Sequence, residues 1–116
     1  MAVMIERVRD TVIRMVRDMQ PTREIVQATG WNEQAIADVR RHEYRQGRIA
    51  TRYQPNIHTC RCMADAFLTR SPVGWNIECS SCMQSLLYPR RTPRGAETAW
   101  NAGRYNDPPS HLASER

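Results

Sequence analysis

The chain has 116 residues, a formal charge of +5 and a hydrophobic content of 41%, which favours a folded protein of one domain or two small ones over a disordered chain. No apolar run approaches the roughly 20 residues of a membrane-spanning helix, and charged residues interrupt the N-terminus where a signal peptide would be apolar. These features predict a cytoplasmic protein without membrane contact, in which clustered cysteines bind metal more often than they form disulfides.

All seventeen basic residues are arginines, and they are spread over both halves of the chain. The planar guanidinium fork suits phosphate groups and guanine edges, so this composition is compatible with nucleic-acid binding. Codon usage in a GC-rich genome would give the same bias. Both explanations stay open on composition alone.

Residues 1–53 carry the periodicity of three helices. Apolar residues recur at helical spacing from Ile5, and Pro21 ends this first helix. Thr22 is predicted to cap a second helix that Gly30 ends. Asn32 is predicted to cap a third helix, from Glu33 to about Arg45.

The segment from Thr22 to Ile49 resembles a helix–turn–helix, and more narrowly the winged-helix version of bacterial regulators. The residues that carry the resemblance are Ile25 and Val26 before a Thr-Gly turn, Trp31 after it, Ile36 in the third helix, and Gly47-Arg48-Ile49 at its end. The resemblance implies a DNA recognition helix and a strand or short wing over residues 49–58. We expect Trp31 in the core.

In this motif the N-terminal part of the recognition helix meets base edges, while arginines reach phosphate or guanine. The side chains expected to contact double-stranded DNA are Asn32, Gln34, Arg40, Arg41, Arg45 and Arg52, together with Arg90 and Arg91 from a basic loop. Glu33 and Asp38 share the same helix face and suit phosphate poorly. The alternative is therefore a three-helix bundle that contacts protein.

Residues 54–106 change to the pattern of a small zinc ribbon. Two strands are predicted, over residues 66–69 and 75–79, with a turn between them and a third strand over residues 86–88. The only four cysteines flank the predicted hairpin as two close pairs, Cys60 with Cys62 and Cys79 with Cys82. Such a set is typical of a closed, structural Zn²⁺ site.

The first pair is closer than in most ribbons, because Arg61 alone separates Cys60 from Cys62. His58, two residues before this pair, is an alternative ligand in place of one of these two cysteines. The third possibility is that the cysteines bind no metal.

The run from Trp75 to Arg104 resembles the restriction alleviation (Lar-like) family of small phage and prophage zinc proteins. The resemblance is carried by Ile77-Glu-Cys-Ser-Ser-Cys82 and by Ala96-Glu-Thr-Ala-Trp-Asn-Ala-Gly-Arg104. The first pair departs from it, with Cys60-Arg-Cys-Met in place of the usual Cys-Pro-x-Cys-Gly. The resemblance implies a phage origin, possible interference with host restriction, and a short helix whose Trp100 covers the ribbon core.

Taken together, these patterns predict an α+β protein. A three-helix (winged) helix–turn–helix domain over residues 1–53 is followed by a zinc-ribbon domain over 54–106 and a tail over 107–116. No phosphate loop, nucleophile elbow or spaced carboxylate pair is present, so we expect no enzyme. The predicted function is a phage-type, zinc-containing DNA-binding protein, a transcriptional regulator in the bacterial host cytoplasm, with the first helix available for a homodimer. The alternative is a protein-binding antagonist or adaptor that acts on a host restriction, defence or transcription complex.

Overall fold

The structure, a computed structural model, describes residues 2–51 and 56–106. Its elements in chain order are α1 (Ala2–Arg17), α2 (Thr22–Thr29), α3 (Glu33–Arg45), β1 (Ala66–Ser71), β2 (Gly74–Cys79) and α4 (Pro93–Asn101). The predicted α+β class is confirmed, with helices first, then a hairpin, then a short helix. The chain forms two compact units that divide between Arg52 and Tyr53. None of the described helices is long and apolar enough to cross a membrane.

The first unit is built from α1, α2 and α3, each of which packs on the other two. Its centre is formed by Val12, Val16, Ile25 and Ile36, all fully buried, and the partly buried side chains around them are Met15, Val26, Trp31, Val39 and Tyr44. The helical spacing of these residues therefore marks the faces that pack. Trp31 packs against this core, as expected.

The C-terminus of α1 and the N-terminus of α2 each differ from expectation in one detail. Met19 follows α1 in the left-handed region, at φ 63, and the Gln20 N–H donates to the Met15 carbonyl at 3.1 Å to close the helix end. Glycine is the usual residue there. Thr22 was predicted to cap α2, but Pro21 holds the cap position and Thr22 is the first helical residue.

Arg40 is buried inside the first unit, with 1% of its surface exposed. Its guanidinium donates to the Gln20 carbonyl at 2.9 Å, to the Thr22 hydroxyl at 3.1 Å and to the Tyr44 hydroxyl at 3.1 Å. It therefore links α3 to the connection between α1 and α2. The Gln20 carbonyl lies just beyond the α1 C-terminus, where a cation is favoured by the helix dipole.

Glu43 is the second buried charge of this unit and joins three parts of the chain. Its carboxylate accepts from Arg17 of α1 and, at 3.2 and 3.0 Å, from Arg48 beyond α3. The Glu43 side chain is 4% exposed, whereas both arginines are about half exposed. Ala50 adds a backbone bond of 2.8 Å to the Arg17 carbonyl. The chain beyond α3 is thus held against the end of α1.

The strand or wing predicted for residues 49–58 does not form in the part of this segment that the structure describes. Residues 49–51 and 56–58 contain no strand, and residues 52–55 lie outside the described ranges. Instead of forming a strand, the described chain after α3 returns to α1, where the Ala50 N–H donates to the Arg17 carbonyl. Arg52, a predicted DNA contact, and the predicted tail over 107–116 also lie outside the described ranges.

The second unit is centred on an antiparallel hairpin in which β1 pairs with β2 from Ala66↔Cys79 to Ser71↔Gly74. Gly74 is required at the start of β2. Its φ is +138, and an added Cβ would lie 2.5 Å from the Arg90 carbonyl oxygen. The Trp75 N–H and the Arg90 N–H each donate to the other residue's carbonyl, both at 2.7 Å.

The predicted third strand over residues 86–88 is replaced by isolated bridges and a side chain. Trp75↔Arg90 and Glu78↔Ser85 are single bridges along β2. Between them the Asn76 amide donates to the Leu86 carbonyl at 2.9 Å and accepts from the Leu86 N–H at 2.9 Å. One side chain therefore forms the pair of bonds that a neighbouring backbone would form in a continuous ladder.

The helix α4 covers the hairpin. Thr92 caps it by accepting from the Gly95 N–H at 3.0 Å, and Pro93 occupies its first turn. The buried hydrophobic side chains of this unit are Leu68, Ile77, Leu86, Ala96, Ala99, Trp100 and Tyr105, with Cys60 and Cys79. Trp100 stacks on Tyr105 with ring centroids 4.5 Å apart. The expectation that Trp100 covers the core of this module is met.

We expect Glu43→Gln to lower the free energy of unfolding of the first unit by about 2 kcal/mol, because charge-assisted hydrogen bonds to two arginines are lost. The bond from Arg48 is the main cause that lowers the pKa of the Glu43 carboxyl below 4.5. Its stabilising effect is therefore complete above that ordinary value and is lost as the pH falls through the lowered pKa. Urea unfolding followed by circular dichroism, at neutral and acid pH, measures both effects.

Asp38→Asn is the matched control, because Asp38 is an exposed acid on the same helix. It should change stability by no more than about 0.5 kcal/mol. A difference between wild type and Glu43→Gln that stays constant from neutral to acid pH would contradict the assignment.

Candidate metal centre

The structure brings all four cysteines into one group. Each offers a sulfur atom, and these atoms all lie within 4.8 Å of one another. The closest pairs cross between the two halves of the site, with Cys60 and Cys82 sulfurs 3.5 Å apart and Cys62 and Cys79 sulfurs 3.4 Å apart. These separations are far longer than the roughly 2.05 Å of a disulfide, and all four thiols are free.

The first knuckle, residues 60–64, precedes β1 and is closed by backbone bonds. The Met63 N–H donates to the Cys60 carbonyl at 2.8 Å, and the Cys60 N–H donates to the Ala64 carbonyl at 2.9 Å. Met63 adopts a left-handed conformation, at φ 73. This tight turn lets a single intervening residue, Arg61, place two cysteines on one site.

The second knuckle, residues 79–84, begins at the end of β2. The Cys79 sulfur accepts from the N–H groups of Ser81 and Cys82 at 3.3 and 3.4 Å. Met83, directly after Cys82, is again left-handed at φ 63. In both knuckles, therefore, a methionine in this conformation follows the second cysteine.

Burial and hydrogen bonding divide the four thiols into two kinds. Cys60 and Cys79 are buried, and burial raises the pKa of both, that of Cys79 to about 12. Cys62 and Cys82 are exposed. A hydrogen bond from the Ala64 backbone N–H lowers the pKa of Cys62 to about 7. A bound divalent cation would favour the thiolate at all four positions, because the thiolate is the ligand form.

The four sulfurs fit a tetrahedral metal ion. With Zn–S bonds of about 2.3 Å, the sulfurs of a zinc tetrahedron lie roughly 3.8 Å apart, and the two closest pairs here, at 3.4 and 3.5 Å, need only small adjustments. The predicted gathering of Cys60, Cys62, Cys79 and Cys82 is confirmed. The group could hold a metal ion, and zinc is the ion that such sets typically bind. Four thiolates complete its coordination and leave no position for a reacting water.

His58 is not a member of this group. Its side chain is exposed, and its backbone is held by α4. The His58 N–H donates to the Asn101 side-chain oxygen at 2.9 Å, and the His58 carbonyl accepts from the Trp100 indole at 2.9 Å. The structure thus does not bring the alternative ligand among the sulfurs.

The segment that leads into the first knuckle rests on one side of α4, which we name the α4 contact face: Glu97, Trp100 and Asn101. In addition to the two bonds to His58, the Asn56 N–H donates to the Glu97 carboxylate and the Asn56 carbonyl accepts from Asn101, both at 2.8 Å. These contacts join residues more than forty positions apart, so no local pattern in the sequence indicates them.

Arg61, between the first two cysteines, packs on the same region. Its guanidinium lies over the Tyr105 ring, 4.8 Å from the centroid, and Tyr105 stacks on Trp100. A cation over an aromatic face is favourable by about 0.5–1 kcal/mol at exposed sites. The first knuckle therefore supplies two sulfurs to the cysteine group and also contacts Tyr105, just beyond α4.

Four of the residues predicted to contact DNA are placed on or next to the outer face of α3. Asn32 uses its side-chain oxygen to cap the helix, accepting from the Ala35 N–H at 2.8 Å. Gln34 and Arg45 are exposed and Arg41 is partly exposed. Asp38 accepts from Gln34 at 3.3 Å and from Arg41 at 2.8 Å. Arg91, in the second unit, is also exposed.

The prediction that Arg40 and Arg90 contact DNA is wrong, because both side chains are buried. Arg40 contributes its guanidinium to the interior of the first unit, as described above. Arg90 is 7% exposed, its backbone pairs with Trp75, and its side chain donates to the Tyr88 carbonyl. Helical spacing alone could not show that Arg40 is buried while its neighbour Arg41 is partly exposed.

Comparisons of the chain with protein-family models, with curated proteins and with solved structures found no match. The resemblances to winged-helix regulators and to the restriction alleviation family therefore rest on the residues quoted above.

We expect the purified, chelator-free protein to contain about one equivalent of zinc. Removing it should unfold the second unit and leave the first intact, since a module with so small a core depends on its metal. Hydrogen exchange should show loss of protection in β1, β2 and α4 with protection retained in α1 to α3. Less than half an equivalent of zinc, or a hairpin that stays protected after chelation, would contradict the metal assignment.

We expect Met63→Gly to stabilise the metal-loaded second unit by about 1 kcal/mol, because glycine enters the left-handed region without the steric cost that methionine carries. The Met63 side chain is 80% exposed, so its removal loses little packing. Val73→Gly is the control: Val73 is 78% exposed but does not share the positive φ, and glycine should be destabilising there. Denaturant unfolding in excess zinc measures both, and a loss of stability in Met63→Gly would refute the explanation.

Proposed function

We propose that the protein binds double-stranded DNA through the outer face of α3 and that zinc on the four cysteines holds the second unit folded. Transcriptional regulation is the process in which such a protein would act. The observation that carries the proposal is a polar stripe on α3, opposite the face that packs on α1 and α2. The stripe consists of Gln34, Asp38, Arg41 and Arg45.

The geometry of this stripe supports contact with a DNA groove. Its members are spaced by three or four residues along a helix of thirteen residues, so they line one side of it. The Asn32 cap leaves the N-terminal turn of α3 ordered at the end that would meet base edges. Gln34 and Arg41 carry the amide and guanidinium donors that suit adenine and guanine.

The surface charge of the first unit supports the same partner. Among residues 7–51, seven arginines are exposed against three exposed acids. The arginines are Arg7, Arg9, Arg14, Arg17, Arg23, Arg45 and Arg48. Such an excess attracts a polyanion and gives binding that weakens as salt displaces the arginine–phosphate contacts.

The second candidate function is binding to a protein, as an antagonist or adaptor in a host restriction, defence or transcription complex. The observation that favours it is Asp38 in the middle of the stripe, with Glu33 also exposed. Carboxylates there repel phosphate, and Asp38 already occupies one Arg41 donor at 2.8 Å. A protein surface with its own cations would accept this arrangement more readily.

We expect purified protein to bind duplex DNA at low salt, and Arg45→Ala and Arg41→Ala to weaken that binding. Each lost phosphate contact should reduce the slope of log affinity against log salt by about one. Fluorescence anisotropy with labelled duplex over a salt series gives both quantities. Arg104→Ala, which changes an exposed arginine of the second unit outside the predicted contacts, is the control.

Absence of duplex affinity at low salt would exclude the DNA-binding proposal. A stoichiometric protein partner captured from host lysate, resistant to nuclease and lost in Asp38→Arg, would then favour the second candidate.

A further inference from the structure

The backbone that leads into the first knuckle is held entirely by side chains of the α4 contact face at two alternate residues. At Asn56 the N–H and the carbonyl are bonded to Glu97 and Asn101 at 2.8 Å, and at His58 they are bonded to Asn101 and Trp100 at 2.9 Å. Asn101 is the shared member, because its amide donates to one residue and accepts from the other.

This bonding restrains the His58 backbone and, with it, the direction of the His58 Cα–Cβ bond. When both backbone groups of a residue are held, φ and ψ at that position have little freedom, and the Cα–Cβ direction is set. The imidazole is then exposed although Cys60, a member of the sulfur group, is only two residues away. In this conformation the ring is not a member of the sulfur group.

We propose that the α4 contact face selects the ligand set of the metal site: it holds His58 away and thereby commits the site to four thiolates. The inference rests on the structural metal site proposed above. Asn101 is in this sense a positioning residue, since it touches no sulfur and acts through the backbone of His58.

Co²⁺ is the probe, because its visible absorption distinguishes four sulfur ligands from three sulfurs and one nitrogen. Wild type and His58→Ala should give the same four-sulfur spectrum. Asn101→Ala should give bands shifted to shorter wavelength, because the freed imidazole replaces one thiolate. Asn101→Ala combined with His58→Ala should lose that shift.

Two further variants separate positioning from a general loss of stability. Asn101→Asp keeps an acceptor for the His58 N–H and loses the donor to Asn56, so it should retain the wild-type spectrum. Thr98→Ala alters an exposed residue of the same helix and should also leave the spectrum unchanged.

The inference is overturned if Asn101→Ala keeps the four-sulfur spectrum, or if its shift persists after His58 is removed. Failure of the wild type to bind Co²⁺ would instead overturn the metal site itself, so the two failures are distinguishable.

Discussion

Bringing four sulfur atoms within 4.8 Å of one another is the constraint on which the second unit depends. Thiolates at this spacing repel one another, and two of the four thiols are buried where burial favours the neutral form. A divalent cation bound to the four sulfurs would remove both penalties and would join the start of the hairpin to its end. The small core of Leu68, Ile77, Leu86 and Trp100 would then have to order only the segments that the cation holds together.

The first unit is stabilised differently, by an apolar core and buried charges. Its apolar core is completed by two buried charges, Arg40 and Glu43, whose partners are carbonyl, hydroxyl and guanidinium groups from other parts of the chain. Hydrogen bonds of this kind fix one arrangement of the three helices, because a buried charge left without its partners costs several kcal/mol. The outer face of α3 is thereby held in place by groups that lie on its inner face.

Much of the fold could be predicted from the sequence because it follows from local rules. The apolar spacing of α1, the Asn32 cap of α3 and the paired cysteines each act over a few residues, and the structure has them as expected. Arg40 and the α4 contact face could not be predicted in this way. Whether an arginine on a helix edge turns inward depends on a carbonyl at Gln20, and the hold on His58 depends on Asn101, both remote in sequence. For the same reason the sequence could not decide whether His58 replaces a cysteine of the short knuckle, since its backbone is bonded to residues of α4 that are remote in sequence.

The amide of Asn76, bonded on both sides to Leu86, has a consequence for the behaviour of the protein in solution. A two-stranded sheet ordinarily presents unpaired N–H and C=O groups along its outer strands, and these can pair with another molecule. On β2, the bridges to Ser85 and Arg90 occupy the two ends of that edge, and Asn76 directs the chain between them alongside it. The β2 edge is thus closed by a segment too irregular to extend the sheet, which protects this edge of the hairpin against pairing with a strand of another molecule.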